Sequence, residues 1–140
     1  MPFFFFGTLM DRDVLEIVLG RPIAKDELTA ARLRGYRRVR TATRPYPMLK
    51  PDPDGVVEGM LLMEPSSRDA ARILHFENEE YVARRTTVHP ASDRALEARV
   101  FFAHPEIGAT EEPWEPDSWA SRHKAVFLRQ CREWMRDCPI

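Results

Sequence analysis

The order of elements in this sequence predicts an α+β fold built on a curved or barrel-like sheet and closed by a long C-terminal helix. Three observations carry that reading. The chain opens "MPFFFFGTLMD", a short unbroken apolar run that stops at Gly7-Thr8 and leads into a helical pattern rather than a hairpin return. Its middle is mostly extended, with one helical pattern inserted. Its end carries an amphipathic helical stripe. A doubly wound parallel sheet would need strands and helices to alternate throughout, and here they do not.

Phe3 to Phe6 read as a strand buried on both faces. Asp11 follows as an N-cap, Val14, Leu15, Val18 and Leu19 as a buried stripe, and Gly20 as a C-cap. "TAARLRGYRRVRTA" reads as extended, anchored by Leu33, Tyr36 and Val39, with Gly35 marking a bend or bulge. Pro45 and Pro47 bracket Tyr46 in stiff, non-helical backbone. "PDPDG" has turn chemistry and is expected to separate two extended segments, the second from Val56 to Met63. Gly59 within it suggests a bulge or a close backbone approach. Ser66 or Ser67 caps a helix with apolar positions Ala70, Ile73 and Leu74. Strands are expected at about Tyr81 to Val88 and Leu96 to Ala103, then a loop rich in Glu, Pro and Gly. Asp117 is expected to cap one long closing helix, with Trp119, His123, Val126, Phe127, Cys131, Trp134 and Met135 along one stripe.

The 140 residues suit one domain, 1–140, long enough to bury a core, and 44% hydrophobic with 31% charged residues is ordinary for a globular protein. A net charge of -1 argues against a general nucleic-acid binder. Arg32, Arg34, Arg37, Arg38 and Arg40 read as the solvated face of a strand, with a nucleic-acid surface as the alternative. No apolar run approaches the roughly 20 residues of a membrane span, and the N-terminus lacks a basic n-region, so the expected place is the cytoplasm. If Cys131 and Cys138 are both helical, about 1.5 Å per residue sets them roughly 10 Å apart, too far for a disulfide. The histidines show no metal-ligand spacing, so no metal is expected. The sequence carries no signal of oligomeric state.

Three stretches could carry chemistry. Gly7-Thr8, where a buried strand meets a helix, is either an ordinary tight turn or a place where several backbone N–H groups aim at one carboxylate or oxyanion. Glu77, flanked by Phe76 and Tyr81 at a helix-to-strand junction, could be desolvated into a general base; Glu79 and Glu80 beside it look like solvated turn residues. Tyr46 between its prolines is either a rigid ligand wall or a ring packed on the core.

Taken together, "FFFFGTLMDRDVLEIVLGR", "LRGYRRV", "RPYPML", "DGVVEGMLL" and "ILHFENEEYVARRTTV" resemble, in order, successive segments of the gamma-glutamylcyclotransferase superfamily, including its avirulence-induced-gene-like branch. "WEPDSWASRHKAVFL" is similar to the C-terminal helix of the plant-like branch. The resemblance implies a small mixed α/β fold around a β-barrel. It also implies a cofactor-free transferase or lyase that cyclises a γ-glutamyl amide to 5-oxoproline and releases the attached amine or amino acid. Glu77 matches the catalytic glutamate. Phe6, Gly7, Thr8 and Leu9 match the substrate loop, flanked by Phe5 and Met10, and Tyr81 matches the aromatic residue after the glutamate. Tyr46 is a further substrate-binding candidate. Phe6 stands where the family usually has tyrosine, Leu74 where it has aspartate, Asn78 where it has glycine and Ala83 where it has arginine. The expected partner is a small γ-glutamyl substrate, with no nucleic acid, membrane, metal or cofactor. The alternative is a non-catalytic small-molecule binding or sensing protein that keeps the same barrel and pocket.

Overall fold

A computed structural model, describing residues 1–91 and 94–140, shows why the chain begins with four phenylalanines. Strand β1 (Phe3–Phe5) runs between β3 (Pro47–Leu62), to which it is antiparallel, and β5 (Leu96–Ala103), to which it is parallel. Strand β4 (Tyr81–Pro90) continues from β5, and β2 (Leu28–Thr41) pairs with both β4 and β3. Five strands therefore close into a barrel, and β6 (Ala109–Pro113) extends it beside β2. Side chains alternate across a strand. Phe4 and Phe6 enter the barrel interior with Leu33, Val57 and Val100, whereas Phe3 and Phe5 face an outer layer of helices. Both faces are dry, so each phenylalanine contributes on the order of 2 kcal/mol of burial.

The helical layer consists of α1 (Arg12–Leu19), α2 (Ser67–Glu77), α3 (Pro116–Arg122) and α4 (Lys124–Arg136). Helix α1 starts and stops where its caps dictate. The Asp11 carboxylate accepts the Val14 N–H at 3.2 Å, and Gly20 ends the helix in the left-handed region at φ 70°. Ser66 caps α2 through a reciprocal box with Asp69. Of the apolar positions expected on α2, Ile73 is buried but Leu74 is 48% exposed, because the buried face instead includes Asp69 and Arg72.

Five further expectations are corrected. "PDPDG" does not separate two strands: β3 runs through it, and Asp52 to Gly55 bulge opposite the single residue Gly35 between the Arg34–Val56 and Tyr36–Pro51 pairs. The closing helix is two helices broken at His123, whose φ of -122° and ψ of -18° fall outside the helical well. Pro116, not Asp117, opens the first of them, and Glu115 is its N-cap. Its stripe is narrower than expected, with Trp119, Phe127, Cys131 and Met135 buried and His123, Val126 and Trp134 exposed. Finally, the acidic loop after β5 contains β6. Gly59 is the close approach anticipated: a Cβ there would strike the Phe5 carbonyl oxygen and the Phe4 ring. No helix among the described residues is long and apolar enough to cross a membrane.

Candidate active site

Between the barrel rim and the helical layer lies a cavity of about 280 Å³. One wall is the end of β1 and the turn after it. Gly7 leads into a single 3-10 turn, Thr8–Met10, in which the Met10 N–H donates to the Gly7 carbonyl and the Asp11 N–H to that of Thr8, both at 3.0 Å. Those two donors are thus committed, while the N–H groups of Gly7, Thr8 and Leu9 lie outside the turn's own bonds. Gly7 is required by close packing, since a Cβ there would sit 2.9 Å from the Pro47 ring. Met10 is not on the cavity wall; its side chain packs against the outer core.

Two further supports hold this wall. The Arg38 guanidinium donates to the carbonyls of Phe6 at 2.9 Å, Trp114 at 3.2 Å and Glu58 at 3.3 Å, and lies over the Trp114 ring. Burial pulls its pKa down. Arg38 is therefore no part of a solvated arginine face: it anchors the residue before Gly7. Behind the turn, the Lys124 ammonium bridges Asp11 at 2.9 Å and Asp13 at 2.8 Å, tying the start of α4 to the start of α1.

Glu77, the last residue of α2, reaches the cavity opposite the turn. Its side chain is half-buried and opens onto the cavity, and the protein packed around it desolvates the carboxyl. That desolvation, uncompensated by a cation or hydrogen bond, pushes its pKa from 4.5 up to about 8. Burial raises the Tyr81 phenol, and the Glu77 charge adds to it. Burial likewise raises the Cys131 thiol, to about 12, again with a contribution from Glu77. The Glu77 carboxyl thus stands between the barrel side, Tyr81, and the helix side, Cys131. A thiol held that high is a poor nucleophile.

The backbone just past Glu77 is strained. Asn78 has φ 55° and ψ -148°, and it alone among described non-glycine residues has positive φ. This lies outside the left-handed well that asparagine tolerates, in a region close to glycine-only. The next residues turn the chain into β4, where the Tyr81 hydroxyl donates to the Pro47 carbonyl at 2.7 Å. Tyr81 also packs on Tyr46, with ring centroids 5.7 Å apart.

The structure brings Phe5, Phe6, Gly7, Thr8, Leu9, Tyr46, Glu77 and Tyr81 onto one cavity and leaves Met10 behind it. It adds Glu80, which the sequence presents as a solvated turn residue. The Tyr46 hydroxyl donates to Glu80, and the Arg44 guanidinium grips it at 2.9 and 3.1 Å. From the helical layer it adds Phe76, Phe127, Gln130, Cys131 and Trp134. Phe76 beside Glu77 and the Phe127, Cys131 stripe were visible as apolar positions, but nothing local said that they face a cavity.

A small closed barrel whose rim sets one desolvated carboxyl across a cavity from a tight backbone turn defines a class: a site suited to proton transfer beside an anion. The family is then set by comparison. The model for gamma-glutamyl cyclotransferases, AIG2-like, matches residues 3–121, and the chain belongs to that family. It is 27% identical over 136 residues to AIG2-like protein A of Arabidopsis thaliana, covering 94% of this chain and 79% of that one. A solution structure of an Arabidopsis thaliana protein matches at a TM-score of 0.64 and 24% identity, over 96% of this chain and 90% of that chain. A gamma-glutamyl cyclotransferase structure matches at a TM-score of 0.58 and 10% identity, over 94% and 86%. At these identities the two structures establish a shared fold.

Proposed function

We propose that this protein is a γ-glutamyl cyclotransferase in which Glu77 is the general acid/base. The observation that carries the proposal is the placement of the half-buried Glu77 carboxyl across one cavity from the Gly7–Leu9 turn, where desolvation raises its basicity. The α-ammonium of a γ-glutamyl substrate must lose a proton before its nitrogen can attack, and a carboxyl of raised basicity is suited to accept it.

The ionised carboxyl takes a proton from the α-ammonium, and the freed amine attacks the substrate's own γ-carbonyl carbon. The new N–C bond closes a five-membered ring. The N–H groups of Gly7, Thr8 and Leu9 face the substrate carboxylate or the developing oxyanion. Glu77 passes its proton to the departing nitrogen as the amide C–N bond breaks. A second proton from the ring nitrogen follows, so 5-oxoproline and an ammonium leave while Glu77 ends ionised. No water is consumed and no enzyme nucleophile is used. Because attack is intramolecular, holding the substrate folded supplies an effective molarity on the order of 10⁵ M or more.

The test is 5-oxoproline release from a panel of γ-glutamyl amides by wild type and Glu77→Gln. Turnover that disappears in the variant is expected. Equal turnover in both would remove Glu77 from this role, and no turnover by a folded wild type would favour a binding protein.

A further inference from the structure

The cavity wall has an asymmetry that bears on the leaving group. Among the described residues that form it there are two carboxylates, Glu77 and Glu80, and no lysine, arginine or histidine. Glu80 is already saturated by Arg44 and the Tyr46 hydroxyl, and Arg44 is committed to it through two nitrogens at 2.9 and 3.1 Å. The Gly7–Leu9 turn lies at the β1 end of the cavity, and on the cyclotransferase reading its N–H groups are taken up by the γ-glutamyl head. On the far side of Glu77 the wall is apolar and largely aromatic. Phe76 and Phe127 meet edge to face at 6.3 Å. Trp134 is held by its indole N–H on the His75 carbonyl at 3.2 Å. Gln130 is the uncharged polar group there.

We propose, resting on the cyclotransferase reading above, that the group released is an amine whose body is aromatic or bulky and apolar, with no carboxylate or other charge on it, held between Phe76, Phe127 and Trp134. An amino-acid leaving group would bring its carboxylate past Glu77 to a wall that offers it no cation, so it would give up part of its hydration and gain no partner there. An aromatic body finds edge and face partners already in place.

The experiment compares three substrates with a common head: γ-glutamyl-phenethylamide, γ-glutamyl-phenylalanine, which adds only a carboxylate, and γ-glutamyl-methylamide, which lacks the ring. Wild type is expected to prefer the phenethylamide in kcat/KM by on the order of 100-fold over the phenylalanine conjugate and about tenfold over the methylamide. Gln130→Arg, on an exposed position, places a cation on the apolar wall and should narrow the first ratio by raising turnover of the phenylalanine conjugate. Equal or better turnover of γ-glutamyl-phenylalanine by wild type overturns the inference and leaves the cyclotransferase standing. So does a methylamide as good as the phenethylamide. Absence of 5-oxoproline from all three overturns both.

Discussion

The two ends of helix α2 treat a buried carboxyl in opposite ways. At its start, burial alone would raise Asp69, but hydrogen bonds from Arg21 and Ser66 outweigh that and hold it below the usual carboxylate range. Arg21 grips it through two nitrogens, at 3.0 and 3.2 Å, and bridges onward to Glu27. At the other end, eight residues on, Glu77 has burial without a partner and rises to about 8. The first carboxyl fastens α2 to the loop after α1. The second destabilises its own ionised form in a cavity wall and gains basicity by it. One helix thus carries a structural carboxylate at one end and the proposed acid/base at the other, and what separates them is the presence of a guanidinium.

Four changes would break or sharpen this contrast. The largest effect is expected for Glu77→Gln, which should lower kcat by about 10³-fold with the fold intact by circular dichroism, since a positioned acid/base typically contributes 10² to 10⁴. Asp69→Asn should instead leave specific activity per folded molecule near wild type while costing about 3 kcal/mol in urea unfolding, because Arg21 loses a nearly buried partner. A third test uses pH. The unfolded chain releases the Glu77 proton near 4.5 and the folded chain keeps it to about 8. Stability should therefore fall as pH rises through that window, by up to roughly 1.4 kcal/mol per unit, and Glu77→Gln should remove that contribution. Asp69 contributes with the opposite sense: its stabilisation is present above 3.8 and is lost as pH falls through its lowered folded value. The smallest effect belongs to Asn78→Gly, which relieves a positive-φ strain and should raise stability by about 1 kcal/mol, read as a shift in Tm.

The same contrast explains what the sequence revealed. Features set by neighbours in the chain were legible: the Asp11 and Gly20 caps, the doubly buried phenylalanine run, the Gly35 irregularity and the Glu77 position beside Phe76. Features set by distant partners were not. Glu80 looks like a solvated turn residue because Arg44 and Tyr46 lie more than thirty residues upstream. Arg38 looks like one of an exposed row until the Phe6 carbonyl, 32 residues away, is found against it. Barrel formation depends on the parallel β1–β5 pair and the β2–β4 pair, which bring together segments far apart in the chain. The "PDPDG" stretch has every local mark of a turn, yet it becomes a bulge because β2 and β3 pair on both sides of it. The break at His123 has no proline or glycine to announce it. Among the candidate substrate contacts, Met10 is displaced because the turn takes up its N–H and the outer core its side chain.

The central claim, that this helix carries one reactive and one structural carboxyl, is tested most directly by a carbon-13 NMR titration of the side-chain carboxyls of Asp69 and Glu77 in one sample. The account predicts a Glu77 midpoint near 8 and an Asp69 midpoint below 3.8. A Glu77 carboxyl that titrates near 4.5 would contradict it, since that group would then be an ordinary solvated acid.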